Sequence, residues 1–189
     1  MSKVVLLLLV LLNVTQLSAE SLNWDKVSLA FRSTSFDTQD RITGVGLYGT
    51  GALNEDFYVL GGFERATDHG YVYEAFSAGI GYRYYATSNL AIFSSVSAAE
   101  IEIVGGNNNR FYGRGEKVNG GGVQLGVRSL VTSNLELSGA IMYESFDGDS
   151  QSLVGISALY KFTKNLSTEV DYIQSDNSDT TALSLVFFF

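Results

Sequence analysis

The residues able to do chemistry in this 189-residue chain are mostly ionisable side chains set at alternate positions, and they balance in sign. Lys26, Arg32, Arg83, Arg128 and Lys161 fall on the polar faces of their segments, as do Glu64, Glu136, Glu144, Glu169 and Asp171. Arg128 and Glu136 lie diagonally across one short turn, and Lys161 and Glu169 across another, within reach of cross-strand pairing. Charges withdrawn from bulk water need such partners, because an unpaired buried charge is strongly destabilising. The pattern predicts an ion-pair and water network rather than a reaction centre. Its sharper alternative is an aqueous conduit whose wall charges choose among solutes.

Other chemistries have little to stand on. The absence of Cys excludes disulfides, thiolate metal sites and thiol catalysis. His69 is the single histidine, so multi-histidine metal sites are excluded too. Asp68 and His69 are adjacent, and on a strand they would point to opposite faces. Only a loop could bring them together, and an enzymatic reading would rest on His69. Gly44-Val45-Gly46-Leu47-Tyr48-Gly49 matches a dinucleotide fingerprint, but more strand follows where a phosphate-binding helix is required. Asp147-Gly148-Asp149 opens like a calcium loop, yet Ser152 stands where that loop needs Gly and Ala158 where it needs Glu. No cofactor or metal is expected. The net charge of −8 argues against nucleic acid as a partner.

The elements that position these charges are strands. Thr87-Ser88-Asn89-Leu90, Thr132-Ser133-Asn134-Leu135 and Thr163-Lys164-Asn165-Leu166 repeat one turn signature, and Asn54-Glu55-Asp56-Phe57 is a looser copy. More polar connections alternate with them at 37–40, 67–70, 105–119, 147–150 and 176–179. Nine connections need ten strands, expected near 24–35, 41–53, 57–66, 71–86, 90–103, 119–131, 135–146, 151–162, 166–175 and 180–189. The Gly-rich second strand and the fifth, where Glu100 and Glu102 disturb the alternation, are the weakest; without either the count falls to eight. No Pro interrupts any strand, and 20 Gly with 12 Phe and 11 Tyr suit an all-β wall with aromatic bands.

The polarity of the faces decides the solvent. Phe76, Ala78, Ile80, Tyr82 and Tyr84 share one face against Ser77, Gly79, Gly81 and Arg83, and the other strands repeat this arrangement. A soluble ligand-carrying barrel would keep its apolar face inside. Here the continuous aromatic face is opposed by small and charged residues, as in a closed antiparallel up-and-down transmembrane β-barrel. The ends agree. Lys3, the apolar run Val4 to Leu12 and Leu17-Ser18-Ala19 read as a signal peptide over 1–19, leaving a barrel domain over 20–189. The last strand exposes Leu183, Leu185, Phe187 and Phe189 on one face, which would aggregate as a free edge but closes a barrel well.

With these features the chain resembles the small outer-membrane β-barrel superfamily of Gram-negative bacteria, of the outer membrane protein A transmembrane-domain type. The resemblance implies a porin-like barrel in the bacterial outer membrane, with Phe189 as the signal read by the barrel-assembly machinery. It implies outer-membrane lipid and lipopolysaccharide as surroundings. The outer-loop Asp residues read first as plain solvated acids and only second as a bridge through divalent cations to lipopolysaccharide. Two barrel enzyme families offer a contrast. The chain is far shorter than omptin proteases and lacks the His-Xaa-Ser found near the end of lipid A deacylases. The 105–119 loop is locally basic, and Arg110, Phe111, Tyr112, Arg114 and Lys117 make it the candidate surface for an extracellular partner or, equally, a lid over the mouth. The expected role is structural or at the cell surface, with a narrow passive channel as the alternative and a lipid-modifying enzyme as the third reading.

Overall fold

Alternation of large apolar with small or polar residues leaves each segment two distinct faces, and every such segment becomes a strand. The computed structural model describes residues 22–37, 41–68, 71–105 and 116–189. The expected leader, Asp40, His69, Arg110, Phe111, Tyr112 and Arg114 lie outside the described residues. The strands are β1 (Lys26–Phe36), β2 (Arg41–Ala52), β3 (Phe57–Asp68), β4 (Tyr71–Thr87) and β5 (Leu90–Gly105). They continue with β6 (Glu116–Leu130), β7 (Leu135–Phe146), β8 (Asp149–Lys161), β9 (Leu166–Gln174) and β10 (Ser178–Phe188). Each pairs antiparallel with its sequence neighbours, and β1 pairs with β10 to close the barrel. Ten strands therefore form the wall, not eight. The closing seam is fully laddered, from Lys26 opposite Phe188 to Phe36 opposite Ser178. The β8–β9 ladder is shorter, ending at Val154 opposite Gln174.

The repeated Asn turn stitches one rim. Thr132 Oγ1 accepts from the backbone N–H groups of Asn134 and Leu135 at 3.3 and 3.0 Å, and Thr163 does the same for Asn165 and Leu166. The Asn then reaches sideways to the next hairpin. Asn134 Nδ2 donates to the Lys161 carbonyl at 3.0 Å while its own carbonyl accepts from Lys161 N at 2.8 Å. Asn165 clamps Phe188 in the same two-way manner, and Asn89 clamps Leu130. At the opposite rim, β7 and β8 meet in a two-residue turn, with Asp147 and Gly148 at φ 43° and 100°. Both are left-handed, as the tightest hairpins require. The looser connection expected over 147–150 is thus a sharp corner.

The exterior is apolar over most of its height. Leu29, Leu47, Phe63 and Phe76 are register neighbours across β1 to β4, and all four face outward, exposed. Leu183, Leu185 and Phe187 of β10, and Phe189 just after it, are exposed in the same way. A protein in water would not leave such a band uncovered, whereas hydrocarbon accepts it. An Arg at Leu47, near mid-height of this band, is expected to destabilise the folded barrel by about 2–4 kcal/mol in bilayers. The same change at exposed Asp176 should be neutral within error when both are measured by equilibrium unfolding from vesicles.

Glu100 and Glu102 do not break the fifth strand. They keep the outward parity of Ile92 and Val96 and stand above the apolar band. There Arg65, Glu74, Glu102 and Lys117 form one lateral row across β3 to β6. Lys117 bonds Glu100 at 2.6 Å and lies 3.5 Å from Glu102, and Arg65 lies 3.4 Å from Glu74. Behind this row the inward residues turn apolar, with Ala75, Ala99, Ile101 and Val118. The pleat's polarity therefore inverts where the taller flank leaves the lipid.

Candidate functional site in the barrel lumen

The four residues before β1 do not extend the strand; they fold beneath the lumen at the Asn-turn rim. Each is held by a polar bond from the wall. Tyr85 Oη donates to the Leu22 carbonyl at 3.4 Å, Arg128 Nη2 to the Asn23 carbonyl at 3.1 Å and Thr50 Oγ1 to the Trp24 carbonyl at 2.5 Å. Ala52 N donates to Asp25 Oδ1 at 2.7 Å. This short strap carries Trp24 into the bore, where the residue is 4% exposed.

Trp24 packs among aromatic rings and guanidinium groups. Its ring centroid lies 4.6 Å from that of Tyr58 and 5.8 Å from that of Phe93, the latter edge-on. The Arg128 guanidinium sits 4.2 Å from the ring centroid and that of Arg83 5.3 Å. Guanidinium groups at such distances from an indole are attracted by its quadrupole, more strongly when dry. Leu22, Ala91 and Leu130 complete the apolar cluster. Glycines make room for the rings. A Cβ on Gly81 would fall 2.1 Å from the Tyr58 ring, and one on Gly126 would fall 2.5 Å from Phe93. Both rings thus lie against a wall whose facing strand has no side chain there.

The ten charges expected inside are all on inward-facing positions, but they form four levels rather than one network. At the strap level Arg128 Nε bonds Glu136 Oε1 at 2.7 Å, with the two side chains only 7% and 4% exposed. Arg83 instead caps the β2–β3 turn, donating to the Asn54 and Glu55 carbonyls at 2.6 and 2.9 Å. Lys161 is buried nearby without a carboxylate in salt-bridge range among the described residues. At mid-height Glu169 meets Lys26 at 3.0 Å and Ser157 at 3.1 Å. The diagonal Lys161–Glu169 pair is not made, because in a closed bore a long Lys26 side chain reaches Glu169 from two strands away. Asp171 follows on the same face of β9. Higher up, Arg32 pairs with Glu64, and Tyr48 Oη bridges them, accepting from Arg32 at 3.1 Å and donating to Glu64 at 2.5 Å. Tyr48 lies flat over Gly46 and Gly62. Glu144 stands at the far rim, bonded by Gln151 at 3.2 Å.

Above the strap the bore is hollow. Two cavities of about 240 and 320 Å³ share Lys26, Thr50, Leu60, Glu169, Asp171 and Ile173 as common wall. Among the described residues no group of three or more His, Cys, Asp or Glu is placed to hold a metal. Trp24, Tyr48, Tyr58 and Phe93 are the lumen residues that charge patterning does not reveal. For Tyr48, Tyr58 and Phe93 the signal is the inward glycines their rings cover, Gly46 and Gly62, Gly81 and Gly126.

No protein-family model matches the chain, and no curated protein matches it by sequence. Among solved structures it is similar to the KdgM porin, at 12% identity and a TM-score of 0.51, over 86% of this chain and 99% of that one. It is also similar to a bacterial polysaccharide outer membrane secretin, at 9% identity and a TM-score of 0.51, over 89% of this chain and 67% of that one. At these identities the likeness is one of fold: a closed antiparallel β-barrel of the kind seen in porins. The exposed apolar band described above suits a lipid surround.

Proposed function

We propose that the protein is a sealed outer-membrane barrel with a structural or cell-surface role and no catalytic one. The observation carrying this reading is the strap Leu22–Asp25, whose Trp24 fills the bore between Arg83 and Arg128. With the Asn-turn rim taken as periplasmic, the seal faces the periplasm and the hollow faces outward. The buried Arg128–Glu136 pair ties the strap to the wall, so the seal is part of the fold rather than a loose plug. Its partners in this reading are outer-membrane lipid and lipopolysaccharide, the barrel-assembly machinery acting on Phe189, and an extracellular partner at the 105–119 loop.

The cavities above the seal favour a second reading, a narrow passive channel for small solutes. Planar bilayers separate the two. Purified protein with heat-dependent gel mobility, which reports the folded barrel, should give no steady conductance steps. Reproducible single-channel steps from the wild-type chain would overturn the sealed reading and support the channel.

A further inference from the structure

The rim opposite the Asn turns leaves one strand edge open. β8 pairs with β7 up to Asp149, opposite Phe146, but with β9 only up to Val154, opposite Gln174. Residues 149–153 therefore stand beside the β9–β10 turn with no partner on that side among the described residues. The tight turn at Asp147 and Gly148 makes Phe146 and Asp149 the closing bonded pair of the β7–β8 hairpin. Backbone groups alternate between the two sides of a strand, so those of Ser150 and Ser152 point away from β7. The β8–β9 ladder has the same parity, since Phe162 N donates to the Leu166 carbonyl at 2.9 Å. The N–H and C=O groups of Ser150 and Ser152 thus face the gap, and both residues are exposed.

The surroundings of this edge carry one sign of charge. Asp147, Asp149, Asp176 and Asp179 are exposed there, and Asp37 joins them through its backbone bond to the Asn177 carbonyl at 3.2 Å. From Ser129 to Phe189 the cations are Lys161 and Lys164, both at the Asn-turn rim. An unpaired edge recruits an extended chain through main-chain bonds, and the local field selects the sign of its side chains. We propose that the β8 edge is a docking site for an extended, Lys- or Arg-rich peptide segment, added as a strand beside Ser150 and Ser152. Its backbone completes the open ladder while its cations meet the Asp side chains. The acids alone would specify nothing; the open backbone is what calls for an extended peptide. A second copy of this chain would bring the same acids to the contact and be repelled. This surface is on a different flank from the 105–119 loop and does not depend on whether the bore is sealed.

Folded protein in zwitterionic detergent micelles would be titrated into fluorescein-labelled Lys-Thr-Lys-Thr-Lys-Thr-Lys amide and followed by anisotropy. One comparison peptide carries Glu for every Lys. Another is N-methylated at every residue, which keeps the charges but removes every backbone donor. A saturable rise is expected for the Lys peptide, weakened about tenfold or more by N-methylation and lost with Glu. Ser152→Pro should weaken binding comparably, because it removes an edge donor that the β7–β8 ladder does not use. A non-saturating response, or equal binding of either comparison peptide, overturns the proposal. So does unchanged affinity in a Ser152→Pro barrel that keeps its heat-dependent gel mobility. Because the N-methylated comparison uses the wild-type chain, the test stands even if Ser152→Pro does not fold.

Discussion

Arg128→Met is expected to lower the stability of the folded barrel by about 3–5 kcal/mol, the range for breaking one side of a buried ion pair. Glu136 is the reason. One of its oxygens bonds Arg128 at 2.7 Å and the other has no partner, so removing the guanidinium leaves a fully desolvated carboxylate uncompensated. The Asn23 carbonyl loses its donor in the same step. By contrast, Arg65–Glu74 on the exterior row has side chains 55% and 31% exposed, and breaking it should cost less than about 1 kcal/mol. The double variant Arg128→Met/Glu136→Leu should recover most of the loss, since it removes the stranded charge with its partner. The midpoint of heat-dependent gel mobility reads all three. A single-variant loss below about 1 kcal/mol would show that water reaches this pair and that the strap level is not dry.

Trp24→Ala tests the seal itself. Truncating a buried aromatic ring costs about 3–5 kcal/mol through lost transfer energy and the cavity left behind. Here the loss also strips both guanidinium groups of the ring they flank, at 4.2 and 5.3 Å. The void joins the smaller cavity, whose wall already includes Trp24. The variant is therefore expected to show conductance steps in planar bilayers where the wild type shows none. Silence from a folded Trp24→Ala barrel would place the barrier elsewhere in the bore.

Much of this was legible in the sequence for a plain geometric reason. A strand has a period of two, so composition on alternate positions reports which side meets hydrocarbon and which meets the bore. Phe76 to Tyr84 on one face and Arg83 on the other needed no structure to interpret. The Asn turns were legible because Thr and Asn side chains satisfy local backbone groups wherever the motif recurs. Across-barrel proximity was not legible. Glu169 finds Lys26, at the far end of the chain, because the seam between β1 and β10 sets which side chains converge. The first strand was expected from position 24, yet β1 starts at Lys26, because the wall's polar groups compete for the preceding backbone and win. Glu100 and Glu102 looked like faults in the alternation. Parity alone does not say where along a strand the solvent outside changes from lipid to water.

The uneven stitching of the wall has a mechanical consequence. In a cylinder whose first and last strands are bonded along their full length, the covalent break in the chain is not the weak line. Lateral strain would instead part β8 from β9, where fewer rungs resist it and where the Glu169 side of the bore would be laid open to the acyl chains. The seam between the first and last strands is riveted along its whole length.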